Sequence, residues 1–73
     1  MEQYILEYKY KNEIILINCN INKDKFNNWY NYTADFTNSN TNYKSVFEGC
    51  LHATNINKAK QKLYTIIDNY FDN

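Results

Sequence analysis

Four stretches of this chain alternate apolar and polar residues, and a fifth repeats its apolar positions at intervals of three and four. In "QYILEYKY", Tyr4, Leu6, Tyr8 and Tyr10 share one side, and Gln3, Ile5, Glu7 and Lys9 share the other. That is the period of a half-buried strand. "IILINCNI", residues 14–21, is β-branched and again of period two, with Ile15, Ile17, Cys19 and Ile21 together. A two-residue turn at Lys11-Asn12 sets Tyr8 against Ile15, Leu6 against Ile17 and Tyr4 against Cys19. Pattern and turn length therefore agree on one hairpin register. Asn12 is the residue expected to take the left-handed backbone of that turn.

"NKDKFNN", residues 22–28, reads as a polar connection that can fold over the sheet, and "WYNYTADFT" as a third strand with Tyr30, Tyr32, Ala34 and Phe36 on one side. A competing reading continues a helix from Asp24 through Tyr32, because Phe26, Trp29 and Tyr30 also show helical spacing. "NSNTN" is a loop in which Asn stands in for glycine, and "YKSVFEGCL" is a fourth strand. Pairing Phe36 with Tyr43 sets Tyr32 against Phe47, Asp35 against Lys44 and Tyr30 over Gly49, where an aromatic ring shields the glycine. Last, Ile56, Ala59, Leu63, Ile66, Ile67 and Tyr70 form an apolar helical stripe from about residue 56 to 70, with Thr54 or Asn55 as N-cap.

The expected fold is a single α+β domain over residues 1–73. It is a four-stranded antiparallel meander (ββββα) with one C-terminal helix packed on one face. The helix-facing layer comprises Tyr4, Leu6, Tyr8, Ile15, Ile17, Tyr30, Tyr32, Phe36, Phe47 and Leu51. One helix covers one face only. The other carries Ile5, Ile14, Leu16, Trp29, Val46 and Cys50. If five large apolar residues each expose about 100 Å², that side presents about 500 Å², the upper end for a monomer. Burying such an area contributes on the order of 10 kcal/mol gross. These six residues are therefore the candidate partner-binding face, for another protein or for a second copy in a homodimer.

Composition changes this picture little. Seventy-three residues with 44% hydrophobic and 18% aromatic content are too apolar for a disordered chain. Eight tyrosines and four phenylalanines supply the burial that so short a chain needs. The longest apolar run, Ile14 to Ile17, spans no bilayer, and the N-terminus lacks a secretory pattern, so a cytoplasmic location is expected. Eight lysines balance eight Asp and Glu for a formal net charge of zero, which makes nucleic acid an unlikely partner. Fourteen Asn with no Pro and no Arg suggest an AT-rich genome.

Candidate chemistry is sparse. Glu48, Cys50 and His52 alternate and so share the uncovered face, but a structural zinc needs four ligands, and Cys19 points to the other side. A thiol nucleophile also needs an oxyanion site and a cleft, which a small sheet with one glycine does not offer. A Cys19–Cys50 disulfide is blocked by the strand between them. No catalytic residues, metal or cofactor are expected. Lys58 and Lys62, one helical turn apart, are a candidate anion-binding pair. The functional expectation is a non-enzymatic protein-binding module. By analogy with small phage and mobile-element proteins it is read as an inhibitor of a host protein, for example a CRISPR or other defence complex, acting by surface occlusion. The alternative is a weak nucleic-acid binder using the helix and loop lysines.

Overall fold

The computed structural model describes residues 1–38 and 43–72. It has four strands and one helix: β1 (Glu2–Tyr10), β2 (Glu13–Lys23), β3 (Trp29–Asn38), β4 (Tyr43–His52) and α1 (Ile56–Asp72). The strands form one antiparallel sheet in the order β1-β2-β3-β4, so the chain is a ββββα fold as its periodicity predicts.

The first hairpin has the expected register, with Tyr4 opposite Cys19, Leu6 opposite Ile17 and Tyr8 opposite Ile15. The left-handed residue of its turn is Lys11 (φ 56°) rather than Asn12. Positive φ at the first central position alone is the pattern of a type II′ turn, which suits the strand twist as well as the type I′ turn that an Asn would favour.

β2 runs two residues further than expected, so Asn22 and Lys23 belong to the sheet and the connection to β3 is residues 24–28. The helical reading of 24–32 fails because Asp24 N–H closes the turn onto the Trp29 carbonyl at 2.9 Å. Within it, Asp24 Oδ1 accepts from Phe26 N–H and Asn27 Oδ1 accepts from Trp29 N–H. Short polar side chains thus offer the backbone a local alternative to a helix. Phe26 stands almost wholly in solvent, so this loop covers neither face.

The second hairpin differs from expectation by two residues. Phe36 pairs with Ser45, Ala34 with Phe47 and Tyr32 with Gly49. Asp35 lies opposite Val46 and reaches Lys44 diagonally, at 3.6 Å, instead of facing it. A slip of two leaves every side chain on its intended face, so alternation cannot detect it; only the connection length can. The tyrosine shielding Gly49 is consequently Tyr32, not Tyr30. A Cβ added there would lie 2.8 Å from the Tyr32 hydroxyl and 3.1 Å from its Cζ.

The core lies between α1 and the inner side of the sheet. Across the middle of the helix-facing layer runs the row Tyr4–Cys19–Ala34–Phe47, large at the rims and small at the centre. Ala59, Leu63 and Ile67 of α1 are fully buried against this sheet, together with Ile17, Ile21, Cys19 and Ala34. The aromatics ring that centre: Phe71 stacks on Tyr8 with ring centroids 4.8 Å apart, and Tyr70 on Phe47 at 5.2 Å. Asn55 caps the helix, its Oδ1 accepting from Lys58 N–H at 2.9 Å.

Candidate interaction surface

All six residues assigned to the uncovered side are solvent-exposed: Ile5, Ile14, Leu16, Trp29, Val46 and Cys50. They do not form one patch. Pairing lays out the face in rows, and the row through its middle reads Ile5–Asn18–Asp35–Val46. The next reads Gln3–Asn20–Thr33–Glu48, and the next joins Asn22, Asn31 and Cys50. In these rows the two central strands present only polar side chains, Asn18, Asn20, Asn22, Asn31, Thr33 and Asp35, and Asn18 Nδ2 donates to Asp35 Oδ1 at 3.0 Å. Val46 lies three strand spacings from Ile5, roughly 14 Å. Trp29 is six residues from Asp35 along β3, roughly 20 Å, with its ring edge-on to His52 at 5.4 Å.

What remains contiguous is a smaller cluster at the β1–β2 end. Ile14 and Leu16 are successive outward residues of β2, and Ile5 of β1 sits diagonally beside Leu16. Ile5 is 63% exposed, Ile14 66% and Leu16 57%. Glu7 and Lys9 oppose Leu16 and Ile14 and rim the cluster with both signs of charge. Beyond the polar stripe, Asn20, Asn22, Asn31, Gly49 and Cys50 line a shallow depression of about 450 Å³.

The lysine pair is only partly available. The Lys62 ammonium donates to the His52 carbonyl, tying the helix to the end of β4, while Lys58 stays exposed. Lys60 pairs with Glu2 and lies 4.8 Å over the Tyr4 ring. At the other end, the Tyr8 hydroxyl donates to Asp68 Oδ1 at 2.6 Å. The helix is charged against its own dipole, with lysines in its first half and Asp68 and Asp72 in its second, at some tenths of a kcal/mol each. Three of those charges instead fasten its flanks to β1 and β4. Sequence reasoning missed Lys60, Asp68 and Glu2 in this role, because the match depends on which helix face lands on which strand.

Two further groups report the packing. The hydrogen bond to Asp68, with burial second, pushes the Tyr8 phenol up to about 12. Burial raises the Cys19 thiol, and burial followed by its neighbour Cys19 raises the Tyr4 phenol. For Tyr8 the protonated form is favoured by folding, so its contribution is complete below the ordinary tyrosine value of about 10. It is lost as pH rises from about 10 to about 12. Urea unfolding measured across that interval is expected to show stability falling, and Tyr8→Phe is expected to make the fall shallower.

Cys19 is buried and Cys50 exposed, on opposite faces with β3 between them, and both are free thiols. Among the described residues no three of His, Cys, Asp and Glu are grouped to hold a metal ion, and no helix is long and apolar enough to cross a membrane. Fold and surface together define a two-layer α+β domain with one helix-covered and one open sheet face. No family model matches the chain, and no curated protein or solved structure matches it.

Proposed function

We propose that this chain is a non-enzymatic protein-binding module that works by occupying a partner's surface with the open face of its sheet. The observation that carries this reading is the Ile5–Ile14–Leu16 cluster, three large aliphatic side chains more than half exposed on a regular, unbroken hairpin. Aliphatic groups held on a rigid ladder lose little conformational freedom on docking, and the Glu7 and Lys9 rim supplies orientation. Val46 and Trp29 extend the contact to the far margins of the face. In its finer form, the reading makes the chain a phage or mobile-element inhibitor that blocks a host protein, such as a defence complex, by steric occlusion.

Leu16→Lys is the test. The side chain is exposed, so the fold is expected to stay within about 0.5 kcal/mol of wild type. Capture of host proteins by immobilised chain is expected to fall at least tenfold, roughly the effect of losing one well-placed apolar contact. Binding is expected to change little with added salt. Steep salt dependence points instead to the exposed lysines and nucleic acid. Wild-type chain that captures nothing overturns the reading.

A further inference from the structure

β4 is an outer strand of the sheet, and at the end of its free edge the outward His52 carbonyl accepts from the Lys62 ammonium. The helix lies over the middle of the sheet: Lys60 and Asp68 reach β1 on one flank, and Lys62 and Tyr70 reach β4 on the other. The Ala53 N–H donates to the Asn28 carbonyl at 3.0 Å, continuing the β3–β4 register one residue past His52. Backbone groups alternate in direction along an antiparallel strand. The odd-numbered residues of β4 therefore turn theirs to β3. Lys44, Val46, Glu48, Cys50 and His52 turn their N–H and C=O groups outward. Ten consecutive pairs with no bulge keep that edge straight.

Outer strands are commonly blunted by Pro, a bulge or a mid-strand Lys. β4 has instead an exposed Val46 at the centre of a symmetric motif, with Lys44 two residues before it and Glu48 two after.

We propose that β4 pairs antiparallel with β4 of a second copy of this chain, about a two-fold axis at Val46. Each Lys44 then opposes Glu48 of the other copy, and the two Val46 side chains meet. The outward backbone groups of Lys44, Val46 and Glu48 all find partners. The two sheets become one of eight strands, with both helices on the same side and the two open faces continuous.

Charge selects this register. Only residues with outward backbone groups can oppose one another, so the register moves in steps of two. Centring on Phe47 sets Val46 against Glu48, and centring on Glu48 sets two carboxylates face to face. Centring on Cys50 overlaps only residues 48–52, against 43–49 in the Val46 register. On the other outer strand, β1, the register that opposes Glu7 to Lys9 overlaps only residues 6–10. This interface is separate from the Ile5–Ile14–Leu16 cluster and does not rest on the partner-binding reading.

Sedimentation equilibrium is expected to show a concentration-dependent dimer. Glu48→Lys places lysine against Lys44 of the other copy twice, and is expected to weaken the dimer roughly tenfold or more. Lys44→Glu combined with Glu48→Lys restores opposite charges and is expected to restore dimerisation. Val46→Cys in a Cys50→Ser background is expected to form an intermolecular disulfide on oxidation, because directly opposed residues fall within disulfide reach. A chain that stays monomeric up to its solubility limit overturns the proposal. So does a dimer indifferent to Glu48→Lys, or a Cys50–Cys50 crosslink in the unsubstituted chain. Leu16→Lys is expected to leave the dimer intact, which separates a failure here from a failure of the partner-binding reading.

Discussion

Leu63→Ala is expected to lower the stability of this domain by about 3–4 kcal/mol, measured by urea unfolding and by thermal melting followed by circular dichroism. Leu63 is fully buried at the middle of α1, one turn from both Ala59 and Ile67, which are fully buried too. Removing three carbons there takes away apolar burial and leaves a void bounded by sheet on one side and helix on the other. The strands of the sheet are held by regular pairing, so the sheet cannot collapse far into that void. A domain of 73 residues has a total stability of roughly 4–11 kcal/mol at typical values per residue. The substitution therefore removes about a quarter of it at least, and the melting temperature is expected to drop roughly 15–30 °C. Leu16→Ala, the same chemical change on the open face, is expected to stay within about 0.5 kcal/mol of wild type. A Leu63→Ala loss below about 1 kcal/mol would show that α1 does not dock through this stripe.

The contrast between those two leucines reflects what alternation can and cannot reveal. A period of two assigns a side chain to a face, and it assigned Leu16 to the open face and Ile17 to the buried one correctly. The register of the first hairpin was legible because a two-residue turn fixes the pairing once the faces are known, but the residue with positive φ, Lys11 rather than Asn12, was not. The second hairpin was legible in its faces but not in its register, because a slip of two preserves every face. Hence Tyr32, rather than Tyr30, shields Gly49, and Lys44 meets Asp35 on the diagonal.

The surface was less legible than the fold for the same reason. Membership of the open face can be read strand by strand, but contiguity depends on neighbours across strands. Once β2 and β3 are in register, Asn18 and Asp35 stand between Ile5 and Val46, and the expected single patch separates into a cluster and three outliers, Trp29, Val46 and Cys50. The outward direction of the Val46 backbone groups lies one level further from the sequence, since it depends on which member of each antiparallel pair is hydrogen-bonded. Periodicity carries no information about that.

Size is the other property that alternation hides. Ala34→Leu is expected to destabilise the domain by about 1–3 kcal/mol, with a melting temperature roughly 5–20 °C lower. By pattern, Ala34 is one of four residues on the inner side of β3 and the smallest of them, so a larger side chain looks like an improvement. In the fold it is fully buried, flanked by Cys19 on β2 and Phe47 on β4, in the sheet layer that the helix covers. Extra carbons there either push the helix off the sheet or drive neighbours from their preferred rotamers. Lifting the helix also strains the ties at its flanks, Tyr8 to Asp68 on one side and Lys62 to the His52 carbonyl on the other. The same substitution at Thr33, one residue away on the open face, is expected to be nearly neutral. If Ala34→Leu proved as stable as wild type, the close approach of helix to sheet would not be what selects small residues at this centre.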